Sequence, residues 1–160
     1  MAGVDGSRLF VRGPNVMVGY LKPGGDGRVE PPPGGWYDTG DIVRIGAEGH
    51  VSIVGRAKRF AKVAGEMVSL AAVDALAAEV WPGEPLAAVA LPDARKGQRV
   101  VLAIANPAAT LDALRRHARS AGIAEIQLPA EIRVLPEIPV MASGKPDLPR
   151  LQGLVATGGG

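Results

Sequence analysis

Residues 69–91 read SLAAVDALAAEVWPGEPLAAVAL, and the spacing of their apolar side chains predicts how the second half of the chain folds. Apolar residues recur at helical spacing in its first part, at Leu70, Val73, Leu76, Ala77 and Val80. Ser69 carries a hydroxyl that can cap a helix N-terminus, and Trp81-Pro82-Gly83 predicts the helix stop. The run from Leu86 to Leu91 is short and apolar, which is typical of a buried strand. The stretch therefore predicts a capped helix followed by a strand.

The pattern continues toward the C-terminus. Residues 99–105 form a second strand-length apolar run, and Thr110 can cap a helix that ends at Gly122. Residues 131–135 predict a further strand, and a loop with Gly144-Lys145 precedes a short helix. The second half is therefore predicted to be an α+β unit with a small mixed sheet flanked by helices.

The segment before Gly55 has a different pattern. Arg8, Phe10 and Arg12 alternate with Leu9 and Val11, which predicts a half-buried strand. Two short β-prone runs, 41–45 and 50–54, flank a Gly-containing turn and predict a hairpin. Residues 22–35 are rich in glycine and proline and predict a plain loop. The first part is therefore predicted to contain only strands and turns, with a boundary near residues 56–58.

Composition excludes several classes of function. The 160 residues include no cysteine and only two histidines, which excludes a thiolate nucleophile and argues against most metal sites. The formal net charge is +2, and the aromatic residues are not interleaved with basic ones, so a nucleic-acid surface is disfavoured. The apolar runs are too short to span a bilayer, and a cytoplasmic location fits a chain with no signal region behind Met1.

Three segments carry more polar residues at fixed spacing than a fold requires. In the first, Gly35 to Asp41, a carboxylate stands at the start of a predicted strand and could accept two hydrogen bonds from a vicinal diol such as a ribose. Asp41 could equally cap backbone N–H groups of a turn. Trp36 and Tyr37 could bind a ligand or simply pack a small core. The residues alone leave these alternatives open.

The second and third segments are basic. Residues 55–69 hold four cations within seven positions, which suggests an anionic partner or a solvated strand face. Residues 139–147 place Lys145 after a glycine in a loop, where its point charge could meet a phosphate or a developing oxyanion. The loop is not a Walker motif, because the first glycine and the Ser/Thr after Lys145 are missing. An exposed loop lysine with no ligand is the alternative.

Taken in order, these segments resemble the motifs of the adenylate-forming enzymes, which include acyl-CoA synthetases and peptide-synthetase adenylation domains. Residues 8–20 are similar to the motif of the last β subdomain of the large domain. Tyr37-Asp38-Thr39-Gly40-Asp41 is similar to the ribose-binding motif, residues 55–65 to the hinge and following loop, and Ser143-Gly144-Lys145 to the catalytic-lysine motif. The resemblance covers nearly the whole chain. It implies a barrel-like end of the large adenylation domain over residues 1–57 and a mobile C-terminal lid domain over residues 58–160.

Within that family, residues 59–69 and 143–147 are most similar to the acyl-acyl carrier protein synthetase half of bifunctional 2-acylglycerophosphoethanolamine acyltransferases. This implies an acyl-ACP or acyl-CoA ligase that forms acyl-AMP from ATP and a fatty acid or another carboxylate. The acyl group would then pass to the phosphopantetheine thiol of an acyl carrier protein or of CoA. The parent enzyme could also associate with the inner membrane.

The resemblance also implies roles for individual residues. Asp41 and Arg56 would hold the ribose of the nucleotide, within a nucleotide site that includes Tyr37 and Thr39. Lys58 stands at the hinge, where many relatives carry Asp and others Lys. Lys145 would bridge the carboxylate and the α-phosphate during adenylation.

After adenylation, rotation about the hinge would withdraw the lysine and bring the loop with Lys62, Gly65 and Glu66 to the pantetheine tunnel. The phosphate loop, the Mg²⁺ ligands and the acyl pocket of the family lie upstream of these motifs. We therefore expect a C-terminal piece that is inactive alone and works with a missing N-terminal adenylation domain.

A second hypothesis from another class remains open. A non-catalytic module could dock an acidic carrier protein through a basic face. That face would consist of Lys58, Arg59, Lys62, Arg115, Arg116 and Arg119.

Overall fold

The computed structural model describes residues 6–21 and 27–157. Within this part the chain divides into two compact units, residues 6–58 and residues 59–157. Each unit has its own sheet.

The described residues of the first unit form strands, turns and short 3₁₀ segments, one of them at Pro33–Gly35. Strands β1 (Ser7–Val11), β4 (Tyr37–Ile45) and β5 (Val51–Arg56) form a three-stranded antiparallel sheet in the order β1-β4-β5. This sheet is open, so the expectation of a barrel-like β subdomain is wrong for the described residues. Three strands leave both edges of the sheet unpaired and are too few to close on themselves.

The predicted hairpin is confirmed, although its first strand begins four residues earlier than the pattern indicates. The Gly46 N–H donates to the His50 carbonyl at 2.9 Å, and Gly49 adopts a φ of +79°, which its missing Cβ permits. The early start arises because β1 pairs with residues 37–38 across a register shift. Alternation within β4 alone could not show this pairing.

The prediction of a plain loop over residues 22–35 needs correction. Residues 22–26 lie outside the described part of the chain. Beyond them, β3 (Val29–Glu30) pairs antiparallel with β2 (Tyr20–Leu21). A pair of two-residue strands is held by backbone hydrogen bonds and has no side-chain periodicity to reveal it.

The second unit is α+β, as the pattern predicts. It begins with the hairpin of β6 and β7. Its five strands or helices before residue 105 are β6 (Phe60–Val63), β7 (Glu66–Ser69), α1 (Leu70–Val80), β8 (Leu86–Asp93) and β9 (Gly97–Ile104). Three more follow: α2 (Leu111–Ser120), β10 (Glu131–Val134) and α3 (Leu148–Thr157). The five-stranded sheet has the order β10-β9-β6-β7, with β8 paired to β9. Because β9 and β10 run parallel while the other pairs are antiparallel, the sheet is mixed.

Helix caps are formed by the residues that the sequence indicates. The Ala72 N–H donates to Ser69 Oγ at 3.2 Å at the start of α1. The Ala113 N–H donates to Thr110 Oγ1 at 3.3 Å at the start of α2. Each cap satisfies one backbone donor that the first helical turn leaves unpaired.

Both faces of the second sheet are buried, which explains why β8 and β9 are almost continuously apolar. Ala88, Val100 and Leu102 pack in one cluster with side chains of α1 and α2. The intervening residues Val101 and Ala103 pack in a second cluster with side chains of α3. Alternate residues of a strand point to opposite faces, so a sheet covered on both sides needs apolar residues at every position.

The charged run 55–69, for which the sequence left open an anionic partner or a solvated strand face, contains the hairpin of β6 and β7. The sequence did not predict that two strands pair here. Phe60, Ala61 and Val63 are buried in the structure while Lys62 is exposed. The charged residues of this run therefore obscure, in the sequence, a strand whose apolar residues complete the sheet.

Candidate functional site

The first candidate group lies where β4 and β5 pair in the first unit. Asp41 and Arg56 are direct partners in the antiparallel register, and Arg56 Nε lies 3.0 Å from Asp41 Oδ1. The Arg56 Nη1 also donates to the Thr39 carbonyl at 3.0 Å. The Asp41 side chain is 13% exposed and that of Arg56 is 68% exposed. A sheltered carboxylate beside a solvent-facing guanidinium can orient a polyhydroxylated ligand.

Asp41 is held in place by its own segment. The Asp41 N–H donates to Thr39 Oγ1 at 3.1 Å, and the Thr39 hydroxyl donates to the Leu9 carbonyl on β1 at 3.1 Å. Gly40, between them, has a φ of +72°. A residue with a Cβ would be strained at that backbone angle. Among the described residues the Asp41 carboxylate contacts Arg56 and accepts no backbone N–H of the turn, so the capping alternative finds no support and the diol-binding alternative stays open.

Next to this group, Asp38 forms an ion pair that the sequence did not indicate. Arg8 Nε donates to Asp38 Oδ1 at 2.9 Å, and a second guanidinium nitrogen contacts Oδ2. The Gly40 N–H donates to the same Oδ1 at 3.0 Å. These contacts, with Arg8 first, lower the pKa of Asp38 from its ordinary value. The two residues are 30 positions apart, so only strand pairing could bring them together.

The pH dependence of this pair is testable. A carboxyl whose pKa is lowered on folding stabilises the folded state above its unfolded pKa of about 4, and this contribution is lost as pH falls through the lower folded pKa. We expect Arg8→Met to move the Asp38 titration, followed by carboxyl NMR, upward toward the ordinary range. The control is Arg44→Met, which removes an exposed cation of β4. An Asp38 titration that is unchanged by Arg8→Met would contradict this assignment.

The two aromatic candidates line a cleft of the first unit. A cavity of about 290 Å³ is bounded by Trp36, Tyr37, Phe10 and Tyr20 together with Asp38 and two prolines. Partial desolvation, followed by a hydrogen bond with Tyr37, raises the pKa of Tyr20. Trp36 and Tyr37 therefore face an open cleft that could take a flat or apolar group.

The predicted hinge and loop residues flank the start of the second unit. Lys58 is exposed within a 3₁₀ turn, Ala57–Arg59, that leads into β6. The turn between β6 and β7 is tight: Ala64 has a φ of +50° and Gly65 a φ of +90°. The Lys62 N–H donates to Gln98 Oε1 at 2.6 Å, and the Ala64 N–H donates to the Lys96 carbonyl at 2.8 Å. The exposed residues Lys62, Gly65 and Glu66 thus sit on a turn anchored to β9 and the residue before it.

Lys145 lies in a second tight hairpin of the second unit. The Met141 N–H donates to the Lys145 carbonyl at 2.8 Å, the Gly144 N–H donates back to the Met141 carbonyl at 2.8 Å, and Gly144 has a φ of +78°. Within the described residues the exposed Lys145 ammonium has no hydrogen-bond or ion-pair partner. Its backbone is therefore held while its charge stays available to an anion.

The base of this hairpin is tied to α3. The Asp147 N–H donates to the Pro139 carbonyl at 2.8 Å, and Asp147 Oδ1 accepts from the Arg150 N–H at 3.1 Å. Asp147 therefore caps α3 while it closes the lysine hairpin. Leu151 and Val155 of α3 are fully buried against the sheet. The position of Lys145 depends on this packing.

The structure brings together some of the predicted residues and separates others. Asp41, Arg56 and Thr39 meet in the first unit beside Tyr37, whereas Lys62, Gly65, Glu66 and Lys145 belong to the second. Sequence reasoning missed an ion pair between Arg59 and Asp74, whose carboxylate is largely buried. The only signal for it was a single acid in the otherwise apolar first two turns of α1.

Metal binding finds no support in the part of the chain that the structure describes. Residues 6–21 and 27–157 hold no cluster of three Asp, Glu or His side chains able to bind a metal ion. No helix among these same residues is long and apolar enough to cross a membrane.

Comparison with known proteins identifies relatives along most of the chain. The chain is 34% identical over 143 residues to a 2-hydroxy-7-methoxy-5-methyl-1-naphthoate–CoA ligase of Streptomyces carzinostaticus, covering 87% of this chain and 25% of that protein. It is 31% identical over 150 residues to a salicylyl-CoA synthase/salicylate adenylyltransferase of a Streptomyces species, covering 92% of this chain and 27% of that protein. The chain thus spans about a quarter of the length of these relatives. No protein-family profile matches it.

Solved structures show the same fold. The o-succinylbenzoate CoA synthetase of Bacillus subtilis, in complex with its acyl-adenylate intermediate, superposes with a TM-score of 0.70 at 23% identity, covering 95% of this chain and 31% of that one. The relatives and structural neighbours are adenylate-forming CoA and aryl-acid ligases, and they support the superfamily that the motifs resemble.

Proposed function

On the premise that its relatives and structural neighbours are adenylate-forming ligases, we propose that this chain is the C-terminal part of such an enzyme. The observation that supports this best is the similarity over 92% of the chain to a salicylate adenylyltransferase, which runs through both compact units. Residues 6–58 would be the end of the large adenylation domain, and residues 59–157 the lid domain. The enzyme would activate a carboxylic acid with ATP and pass the acyl group to a thiol.

In this proposal the first unit binds the nucleotide. Asp41 accepts hydrogen bonds from the two ribose hydroxyls, and Arg56, which contacts the same carboxylate, reaches the ribose from solvent. Tyr37 and Thr39 complete the nucleotide site, since Thr39 Oγ1 holds the Asp41 backbone and Tyr37 faces the neighbouring cleft. The function of this group is to fix the sugar so that the α-phosphate is presented in one orientation.

The second unit supplies the charge for adenylation. Lys145 would contact the attacking carboxylate oxygen and an α-phosphate oxygen, where negative charge accumulates as the O–P bond forms and pyrophosphate leaves. A hairpin held by two backbone hydrogen bonds reduces the reorganisation needed at that moment.

The same unit would then serve thioester formation. Rotation at Lys58 would move Lys145 away and bring the turn with Lys62, Gly65 and Glu66 to the incoming thiol. That turn is suited to close approach, because nothing lies within 4 Å of a Cβ built on Gly65. A hinge of this kind needs few residues, and Lys58 is exposed between two compact units.

The acceptor and the acid are part of the proposal. The resemblance of residues 59–69 favours an acyl carrier protein and a fatty acid, as in the acyl-ACP synthetase half of bifunctional acyltransferases. The activities for which the two relatives are named favour CoA and an aromatic acid. Thioester formation by the complete enzyme from octanoate or salicylate, offered with CoA or with pantetheinylated carrier protein, separates these alternatives. The enzyme is proposed to act in the cytoplasm.

The isolated chain should lack adenylation activity. We expect no ATP–pyrophosphate exchange above background from the purified 160-residue chain with octanoate or salicylate, because the phosphate loop and acyl pocket of the family have no counterpart in it. The complete ligase, measured in parallel, is the positive control. Exchange by the chain alone would show that it holds a whole active site and would overturn the proposed division of labour.

A module that docks a carrier protein remains the second candidate function. In the structure, two of the basic side chains predicted for its docking face are engaged in ion pairs. Arg59 is paired with Asp74, and Arg115 is paired with Glu125 at 2.9 Å. In the second unit, Lys62, Arg116 and Arg119 are left exposed for such a face, and Lys58 is exposed at the end of the first unit. A docking role alone gives no reason for the Asp41–Arg56 pair or for the Lys145 hairpin.

A further inference from the structure

Lys145 shares a cavity with a carboxylate that could compete for its charge. A cavity of about 310 Å³ in the second unit is lined by Lys145, Arg59 and Asp74, together with apolar residues that include Met141 and Leu148. Asp74 is the acid among its lining residues. A free carboxylate facing a lysine ammonium across such a cavity would attract it strongly, because partial burial weakens screening by water.

Asp74 is not free in the structure, because both of its oxygens are engaged. Oδ1 accepts from the Ala88 N–H at 2.6 Å, and Oδ2 contacts Arg59 Nη2. Arg59 also donates from Nη1 to the Ala88 carbonyl at 2.9 Å. One guanidinium therefore joins the segment after Lys58, helix α1 and strand β8.

The Arg59–Asp74 ion pair is partly shielded from water. The Arg59 side chain is 19% exposed and that of Asp74 is 29% exposed. Burial raises the pKa of Asp74, while the Ala88 N–H and Arg59 act in the opposite direction. Removal of Arg59 alone would leave a partly buried carboxylate without its counter-charge, and Lys145 is the other cation that lines this cavity.

We propose that Arg59 is a positioning residue for Lys145: by occupying Asp74, it prevents this carboxylate from capturing the lysine and leaves the ammonium available to an anionic substrate. The biological consequence rests on the proposed function, in which Lys145 meets a phosphate and a carboxylate. The electrostatic interaction among Arg59, Asp74 and Lys145 does not rest on the proposed function. It can be measured in the chain without any enzyme activity.

The test is the rate at which Lys145 is acetylated by sulfosuccinimidyl acetate in the folded 160-residue chain, followed by mass spectrometry. Only the neutral amine reacts, so an ion pair that stabilises the charged ammonium slows its modification. We expect Arg59→Met to slow the acetylation of Lys145 by about threefold to tenfold, since a nearby carboxylate favours the charged form of a lysine. Exposed Lys96 in the same molecules is the internal reference and should be unchanged.

Two further variants separate capture from a loss of structure. Asp74→Asn in the Arg59→Met background should restore the wild-type rate at Lys145, and Arg59→Lys, which keeps the charge, should not slow it. Arg115→Met, which breaks the ion pair with Glu125, is the matched control and should leave Lys145 unchanged. If Arg59→Met is not folded by circular dichroism, Arg59→Gln replaces it, because its amide can still donate to a carbonyl.

Two results of the acetylation experiment would overturn the proposal. An unchanged Lys145 rate in a folded Arg59 variant overturns it, and so does a slowed rate that Asp74→Asn fails to restore. If the complete wild-type ligase shows no pyrophosphate exchange with any carboxylic acid, the proposed function fails while the acetylation result stands. In an active ligase, the exchange rates of the same variants should follow the order of the Lys145 acetylation rates.

Discussion

Lys145→Ala in a complete ligase that carries this sequence is expected to lower ATP–pyrophosphate exchange by about 10²–10³-fold, the usual loss when one preorganised charge donor is removed from a transition state. The backbone of Lys145 is held by the Met141–Gly144 hairpin, so the substitution removes the charge with little change in the loop. The effect should fall on kcat, because the charge that Lys145 meets develops during the reaction.

Two measurements make this expectation specific. Thioester formation from a preformed acyl-adenylate should remain within a few fold of wild type, since Lys145 is withdrawn in that step of the proposed mechanism. Lys96→Ala removes another exposed lysine of the same unit and should leave exchange unchanged. If Lys145→Ala exchanges pyrophosphate at the wild-type rate, Lys145 has no role in adenylation and the docking module becomes the better explanation.

Leu151→Ala is expected to destabilise the second unit by about 2–5 kcal/mol, the range for a buried leucine truncated to alanine. Leu151 is fully buried in the cluster that joins α3 to β8 and β9. The cost combines lost burial of apolar surface with the cavity that remains, because close-packed neighbours relax only in part. The measurement is urea unfolding of the chain monitored by circular dichroism.

The same helix provides the control. Leu154 is 46% exposed on α3, so Leu154→Ala should change the free energy of unfolding by no more than about 0.5 kcal/mol. Equal effects of the two substitutions would mean that α3 does not pack through Leu151. Because Asp147 both caps α3 and closes the lysine hairpin, a loosened α3 should also increase hydrogen exchange at the Met141 and Gly144 amides.

Much of the fold could be predicted from local pattern. Ser69 and Thr110 cap the helices that their spacing indicates, and the strand-length runs at 86–91 and 99–105 become β8 and β9. These predictions succeed because capping and periodicity act within one turn or one strand, where neighbouring residues determine the outcome. The hairpin of β6 and β7 was missed because Lys62 and the cations near it obscure the short apolar alternation of β6.

The candidate residues were also found locally, while their arrangement was not. Asp41 and Lys145 were selected for the residue types beside them and for a family resemblance carried by short motifs. The contact between Asp41 and Arg56 depends on the β4–β5 register, which shifts at Ile42/Val43. A shift of one residue in a strand turns every side chain to the other face, so motif spacing could not predict this contact.

The sequence by itself determined the α+β class of the second half, the capped starts of α1 and α2 and the motif residues, because each depends on interactions a few positions apart. Tertiary structure alone decided that the first sheet stays open, that Arg8 pairs with Asp38, and that Arg59 holds Asp74 beside Lys145. Those contacts join residues 30 and 15 positions apart. Their energy depends on burial and on exact neighbours in space, and neither exists until the strands and helices have packed.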